Sequence, residues 1–262
     1  MSIHYDCESS FVSSPISIIP SSDYPPLFSG KFANDCNRLD SRLDVDIIDM
    51  ASQSILACDL LNRMYSWRGY GDDHKLSSSK SSSTFLASTG DDVVGTLTLT
   101  VDSAAGLAAD KTFADVLDEA RSYPGTSLCE ITKFASRPSN DSKHVLAAMF
   151  HTIFIYGSER YKCSDLFIEV NPRHVRFYES MLGFAKVGAL RTNQAVAAAS
   201  QLMRLTVSDI GRYIEFYAHG GDRVAGRSLY PLFFSREVEQ RVRNNVNCRF
   251  LPAITSRNRI TN

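Results

Sequence analysis

Apolar residues recur along the chain with two periods, one typical of helices and one typical of strands. Between residues 45 and 65 they return every three or four positions, which predicts a helix. Between Val93 and Val101 they alternate with threonine, which predicts a strand. The same signals predict strands at 84–88, 128–135, 166–170, 184–190 and 197–207, and helices at 113–121, 142–161 and 172–182. This order favours an α/β (α+β) fold of three layers, a mixed central sheet with helices on both faces.

Two segments flank this alternating core. Residues 1–41 are rich in serine and proline and lack sustained periodicity, which predicts an N-terminal arm. Residues 208–262 carry nine basic and five acidic side chains and form a basic C-terminal extension. Its last part, from Arg241 onward, has five arginines and no acidic residue, and is either a solvated terminus or a docking surface for an acidic partner. The core domain is therefore expected over residues 42–207.

Composition narrows the class of protein. The 262 residues carry 28 Lys plus Arg against 29 Asp plus Glu, without the positive excess typical of nucleic-acid binders. No basic segment precedes an apolar one and no apolar run is long enough to span a bilayer, so we expect a cytoplasmic protein. The six cysteines and six histidines show none of the spacings typical of metal or redox motifs, so no metal site is expected.

The most specific segment is Phe167–Phe184, in which a predicted strand gives way to a short helix that ends at a Gly-Phe turn. It resembles a motif of the GNAT superfamily of N-acetyltransferases, with Asn171, Tyr178, Gly183 and Phe184 at matching positions. His174 replaces the small residue that is usual there. The resemblance implies the GNAT-like version of the three-layer fold.

A second motif, Cys129–Ala135, resembles a strand of the acyl-homoserine-lactone synthases, which share this superfold. The stretch from about residue 46 to 207 is similar to the N-acyl amino acid synthases of the long-chain N-acyltyrosine type. Arg63 and Arg68, with their aromatic neighbours, and the strand around 94–96 add to that likeness. The resemblance implies an enzyme that transfers a fatty acyl group from acyl carrier protein to the amine of an amino acid, tyrosine being one candidate.

The expected donor follows from the loop Arg137–Lys143. In acetyltransferases that use coenzyme A, a glycine-rich loop meets the pyrophosphate at a helix N-terminus, but this loop contains no glycine. Acyl-phosphopantetheine on a carrier protein presents a single phosphate and needs no separately bound cofactor. Arg137, Lys143, Arg173 and Arg176 are predicted to contact this donor, although a solvated loop explains the first two equally well.

The reaction needs a base for the amine and an acid for the departing thiolate. Glu130 is predicted to be the base, because burial in a covered sheet raises a carboxyl pKa towards neutrality. Its alternative is a buried ion pair with an arginine such as Arg63 or Arg68. Glu169 is the reserve candidate for the base, although structural pairing is the favoured explanation of that residue. Tyr178 is predicted to protonate the thiolate, unless it only packs in the core. The residues predicted to bind substrate are Arg63, Trp67, Arg68, Tyr70, Lys133, Asn171 and His174.

Three other functions remain compatible with the sequence. A coenzyme A-dependent N-acetyltransferase is disfavoured by the glycine-free loop. A homoserine-lactone-type signal synthase is disfavoured by the N-terminal arm and the basic extension. A catalytically silent domain of the same fold that binds a partner is disfavoured by the presence of both Glu130 and Tyr178.

Overall fold

The computed structural model describes residues 24–31, 42–48, 51–67, 69–76, 79–139, 141–220 and 226–250. The strands are β1 (Phe28–Lys31), β2 (Arg42–Ile47), β3 (Ser82–Thr89), β4 (Asp92–Val101), β5 (Leu128–Ser136), β6 (Asp165–Val170), β7 (Ala185–Asn193) and β8 (Ala198–Thr206). The helices are α1 (Ala51–Ser66), α2 (Asp110–Arg121), α3 (Ser142–Tyr161), α4 (Pro172–Leu182), α5 (Val207–Tyr213) and α6 (Arg236–Phe250). A π-helical turn follows α5 at Ile214–His219, and a 3-10 turn lies at Tyr230–Leu232.

These strands form one mixed sheet in the order β1-β2-β3-β4-β5-β6-β8-β7. Only β5 and β6 pair in parallel among the described strands, and their pairing covers three residues of each, from Leu128 to Glu130 on β5. Beyond Glu130 the two strands separate, while β5 stays paired with β4 as far as Ser136. The sheet therefore has a gap at the carboxyl ends of its two parallel strands.

Helices cover both faces of this sheet, which confirms the expected three layers. Along β6, the side chain of Phe167 packs with α2 in one hydrophobic cluster. Its neighbours Leu166 and Ile168 point the other way, into the cluster that contains α3. On the first face, Leu60 and Leu61 of α1 pack against β3 and β5. No helix among the residues that the structure describes is long and apolar enough to span a membrane.

The predicted helix over 45–65 is wrong at its beginning. Residues 42–47 form β2, in which Leu43 and Val45 alternate into the core, and α1 begins only at Ala51. The segment expected to be an N-terminal arm also contributes a strand. In it Phe28 lies opposite Val45, and its ring stacks on that of Phe234 at a centroid distance of 4.4 Å.

The C-terminal extension packs against the core where the structure describes it. Val242 and Val246 of α6 are buried against the α3 side of the molecule. Arg243 forms ion pairs with two glutamates, and Arg249 pairs with Asp46 at 2.6 Å. The prediction of a solvated terminus is therefore wrong for this helix, and those two arginines are engaged within the protein. Residues 251–262 of the expected extension lie outside the described residues.

Candidate active site

A cleft of about 550 Å³ opens where β5 and β6 separate. One wall is the end of β5 with the loop and first turns of α3 that follow it, and the opposite wall is the end of β6 with the first turns of α4. The β7–β8 hairpin and the segment after α1 complete its rim. The cleft is lined by Tyr65, Tyr70, His74, Phe134, Ala135, Ser136, Arg137, Pro138, Ser142, Leu146, Glu169, Val170, Asn171, His174, Phe177, Tyr178, Asn193, Val196, Ala198, Ala199 and Ser200.

The α4 wall is built by local signals in the sequence. Asn171 caps the helix by accepting a hydrogen bond from the backbone N–H of Arg173 at 3.1 Å, and Pro172 occupies the first turn. The helix ends at Gly183, whose φ of +82° favours glycine. A Cβ there would also lie 2.9 Å from the ring of Tyr213. These signals fix where α4 begins and ends, and so fix the position of its polar residues at the cleft.

A bulge shapes the β5 wall. In a regular strand, the alternation of side chains would place Phe134 on the same face of β5 as Glu130. Lys133 has a left-handed backbone with φ of +52°, and the register of β5 on β4 shifts beside it. Phe134 consequently turns to the α3 side, where its ring lies 5.8 Å from that of Phe150.

Arg173 connects two of the predicted substrate-binding residues. Its guanidinium donates to the Tyr70 hydroxyl at 2.7 Å and lies 5.0 Å from the centroid of that ring. Its Nε donates to Nε2 of His174 at 3.1 Å. These contacts tie the segment that follows α1 to the beginning of α4 across the rim of the cleft.

Tyr178 also lines the cleft, as the predicted proton donor must. It is half-buried on α4, and its ring makes edge contacts with Phe177 at 5.1 Å and with Phe184 at 5.9 Å. This packing fixes the direction of the ring. The role of the hydroxyl stays a prediction.

Glu169 reaches the same cleft from the end of β6. Its Oε1 accepts hydrogen bonds from the Ser200 hydroxyl at 2.5 Å and from the Asn193 amide at 2.7 Å. Ser200 is buried on β8, and Asn193 ends β7. A carboxylate is thus fixed against the cleft by two neighbouring strands.

Glu130 occupies a different environment. Its side chain is 1% exposed, lies outside the set that lines the cleft, and accepts hydrogen bonds from the N–H groups of Ala108 at 2.7 Å and Ala109 at 3.3 Å. Burial raises the pKa of this carboxyl to about 7, although the two N–H groups oppose the shift, and the charge of Glu169 adds to it. The ion pair considered with Arg63 does not form, because Arg63 pairs with Asp59 at 2.6 Å.

The four basic residues predicted to contact the acyl donor lie on both sides of the cleft opening. Arg137 lines the cleft and pairs with Asp92 at 3.5 Å on the protein surface. Lys143 is exposed on the first turn of α3, and Arg173 and Arg176 are exposed on α4. Arg137 and Lys143 therefore lie on the β5–α3 side of the gap between β5 and β6, and Arg173 and Arg176 lie on the α4 side.

Several predicted substrate contacts lie away from the cleft walls. Trp67 is 78% exposed at the end of α1, and Arg63 lies on the outer side of that helix. Lys133 donates to the carbonyl of Lys75, and burial lowers the pKa of its ammonium group. Arg68 lies outside the described residues.

Metal binding and nucleophilic catalysis by cysteine are two further classes of chemistry that such a cleft could support. Among the described side chains, no group of three or more His, Cys, Asp or Glu is placed to hold a metal ion. The pKa of the buried Cys129 thiol is raised by its hydrogen bond with Cys163 and by burial. A thiol in that state is a poor nucleophile, which argues against an acyl-enzyme at Cys129.

Comparison with known proteins identifies the family. Residues 57–206 match the family model of the N-acyl amino acid synthase FeeM. The chain belongs to this N-acyl amino acid synthase family. The solved structure of FeeM from uncultured soil microbes is similar at 27% identity and a TM-score of 0.57, over 64% of this chain and 94% of that chain. A search of curated protein sequences gave no match.

Solved acetyltransferases are also similar to this chain, at lower identity. A probable acetyltransferase from Staphylococcus epidermidis ATCC 12228 has 14% identity and a TM-score of 0.43, over 63% of this chain and 98% of its own. An aminoglycoside 6'-acetyltransferase type Ii has 16% identity and a TM-score of 0.43, over 62% and 96% of the two chains. The fold of this N-acyl amino acid synthase is the GNAT-like one that its motifs implied.

Sequence reasoning missed part of the site of this synthase. Asn193 and Ser200 were not predicted as site residues, because the sequence around each indicates only a strand. Tyr65 and His74, which line the cleft beside Tyr70, were not predicted as site residues. Their rings pack edge to face at 4.8 Å, a contact between residues nine positions apart on either side of a turn. The lining residues that sequence signals did mark are Tyr70, Arg137, Glu169, Asn171, His174 and Tyr178.

Proposed function

We propose that this protein transfers a fatty acyl group from an acyl carrier protein to the α-amine of an amino acid. The observation that carries the proposal is the cleft between β5 and β6, with a glycine-free loop at its mouth and basic side chains on both flanking elements. Membership of the N-acyl amino acid synthase family supports the same chemistry. The proposed acyltransferase domain spans residues 42–207, with β1 paired at the edge of its sheet and α6 packed against α3.

The proposed donor is supported by charge and by shape. A carrier protein presents its thioester on a flexible phosphopantetheine arm, which fits a cleft open at the carboxyl ends of two strands. Lys143 and Arg176 are exposed beside that opening, and Arg137 lies in its wall. Basic residues in these positions suit a strongly acidic carrier, whose docking depends on complementary charge.

The proposed acceptor is an amino acid with an aromatic side chain, such as tyrosine. Tyr65, Tyr70 and His74 form an aromatic group on one side of the cleft, with ring centroids 4.8 and 5.9 Å from that of Tyr65. Aromatic rings favour such edge and offset contacts with one another. The cleft also offers a carboxylate, that of Glu169, as a partner for an ammonium group.

A direct assay tests this function. The purified protein is incubated with a long-chain acyl carrier protein or the matching acyl-coenzyme A, together with each amino acid in turn, and amide products are measured by mass spectrometry. We expect an N-acyl amino acid, formed faster from the carrier protein. Equal use of acyl-coenzyme A would contradict the proposed donor, and an absence of any amide would contradict the function.

Charge reversal sharpens the test of the donor. Arg137→Glu with Lys143→Glu should raise KM for acyl carrier protein and leave KM for the amino acid nearly unchanged. The wild-type KM for the carrier should also rise with salt, because the Debye length is only about 8 Å near physiological ionic strength. Lys80→Glu is the matched control, since Lys80 is exposed near Ser82, at the opposite end of the sheet from the cleft. A KM that ignores both salt and the double reversal would refute electrostatic docking at this mouth.

A further inference from the structure

Glu169 lies at the point where the sheet opens. The parallel pairing of β5 with β6 ends at Phe167, two residues before it, whereas on the other side Glu169 stays paired with Leu202 of β8. No residue of β5 is paired with Glu169, and its side chain lines the cleft instead. The position gives a bound substrate access to this carboxylate.

The surroundings of Glu169 hold one of its oxygens and leave the other open. Oε1 accepts from the hydroxyl of Ser200 and from the amide of Asn193, and both donors come from strands on the same side. Asn193 is itself held, because its Oδ1 accepts the backbone N–H of Ala195 at 2.9 Å. Within the described part of the chain, no hydrogen-bond donor is found for Oε2. A carboxylate oriented in this way can accept a proton without losing its support.

Glu130 lacks these properties. Its carboxylate is buried beneath the backbone before α2, where the N–H groups of Ala108 and Ala109 share one of its oxygens. It does not line the cleft, so a substrate amine in the cleft would meet Glu169 first. A general base must come within hydrogen-bond reach of the proton that it removes, and geometry is the first criterion.

We propose that Glu169 is the general base of the acyl transfer and that Ser200 and Asn193 are positioning residues that hold it towards the acceptor amine. This role rests on the proposed function. The acceptor ammonium gives one proton to Oε2 of Glu169, which later releases it to water. The freed nitrogen lone pair forms the C–N bond, the C–S bond breaks, and the second proton lost by nitrogen ends on the departing thiolate. The products are the amide and a pantetheine thiol.

The test compares two nucleophiles in Glu169→Gln, using release of the pantetheine thiol as the readout for both. An amino acid reaches the cleft mainly as an ammonium ion and needs a base, whereas hydroxylamine is mostly unprotonated near neutral pH. With the amino acid, we expect kcat to fall by about 10²–10⁴. With hydroxylamine, corrected for the reaction without enzyme, we expect a loss of less than about fivefold. Glu179→Gln, a change at an exposed glutamate of α4, is the matched control and should behave as wild type.

The positioning residues supply a second measurement that does not depend on the folding of Glu169→Gln. Ser200→Ala and Asn193→Ala each remove one of the two hydrogen bonds that orient Glu169, so each should lower kcat with the amino acid while thiol release to hydroxylamine stays within about fivefold of wild type. A residue that only packs would lower both activities alike. Equal losses with the two nucleophiles in both variants would overturn the positioning roles.

Each remaining outcome decides between the two carboxylates or against the function. Loss of the same size with both nucleophiles in Glu169→Gln would mean that Glu169 shapes the cleft and is not the base. Wild-type turnover in Glu169→Gln, together with a large loss in Glu130→Gln, would assign the base to Glu130. A wild-type protein that acylates no amino acid but releases thiol to hydroxylamine would overturn the proposed function itself, and the role of Glu169 with it.

Discussion

The buried carboxyl group of Glu130 makes stability fall as the pH rises, which is opposite to the effect of a salt-bridged carboxylate. Its pKa rises from the ordinary 4.5 to about 7 because burial penalises the charged form. Between these two pH values the folded protein therefore holds a proton that the unfolded chain has already released. The stabilisation by the protonated Glu130 is complete below about pH 4.5 and is lost progressively as the pH rises from there through about 7.

The size of this change in stability follows from the shift in the pKa of Glu130. Each pKa unit corresponds to about 1.4 kcal/mol, so a shift from 4.5 to about 7 amounts to about 3 kcal/mol. About 2 kcal/mol of that difference is lost between about pH 5 and about pH 8. In Glu130→Gln the side-chain oxygen can still accept from Ala108 and Ala109, but the group carries no charge at either pH. For a chain of this length, the difference is worth roughly 4–8 °C in Tm.

Thermal unfolding of wild type and Glu130→Gln across this pH range checks the reasoning. We expect the variant to gain Tm relative to wild type as the pH rises, by roughly 4–8 °C in total. Glu119→Gln, an exposed change on α2, should follow wild type throughout. A constant difference between Glu130→Gln and wild type would refute the reasoning, because it would mean that Glu130 titrates alike in the folded and unfolded states.

Two further substitutions test the predicted proton donor, Tyr178, and the packing of the C-terminal helix α6. Tyr178→Phe should lower kcat by about 10²-fold with little change in Tm if the hydroxyl protonates the thiolate; a loss of about 0.5–1.5 kcal/mol in stability with kcat intact would show a core hydrogen bond instead. Val246→Ala should lower the free energy of unfolding by roughly 2 kcal/mol, because Val246 is fully buried. Cys248→Ser, an exposed change on the same helix, is its control, and equal effects of the two in chemical denaturation would contradict the packing of α6.

The elements that could be predicted from the sequence are those that carry their own periodicity. Residues 172–182 were expected to form a helix and do so, and the two final strands were expected as well. β2 was missed because Leu43, Val45 and Ile47 alternate just before a longer helical pattern begins. Four-residue β1 has no pattern of its own, and its strand conformation depends on pairing with β2.

The site likewise contains residues whose position could be predicted from the sequence and contacts that could not. Asn171 and Tyr178 stand in one contiguous motif, so their common position in the cleft could be anticipated. The contacts of Glu169 could not, because Ser200 and Asn193 are more than twenty residues away and reach it only through the pairing of β6, β8 and β7. Alternation also cannot reveal a bulge such as the one at Lys133, which reverses the facing of every residue after it.

The segment after β8 packs against α3, and through this helix it affects the geometry of the cleft. His151 of α3 is fully buried between the rings of Phe233 and Phe234, with centroids at 4.8 and 4.6 Å, and its Nδ1 accepts the backbone N–H of Phe234 at 2.9 Å. The same helix supplies Ser142 and Leu146, in its first turns, to the cleft wall. Since a helix is a stiff element, contacts that fix the middle of α3 also fix the direction of its first turn. The extension therefore helps to hold one wall of the cleft in place, even though the family match ends at residue 206.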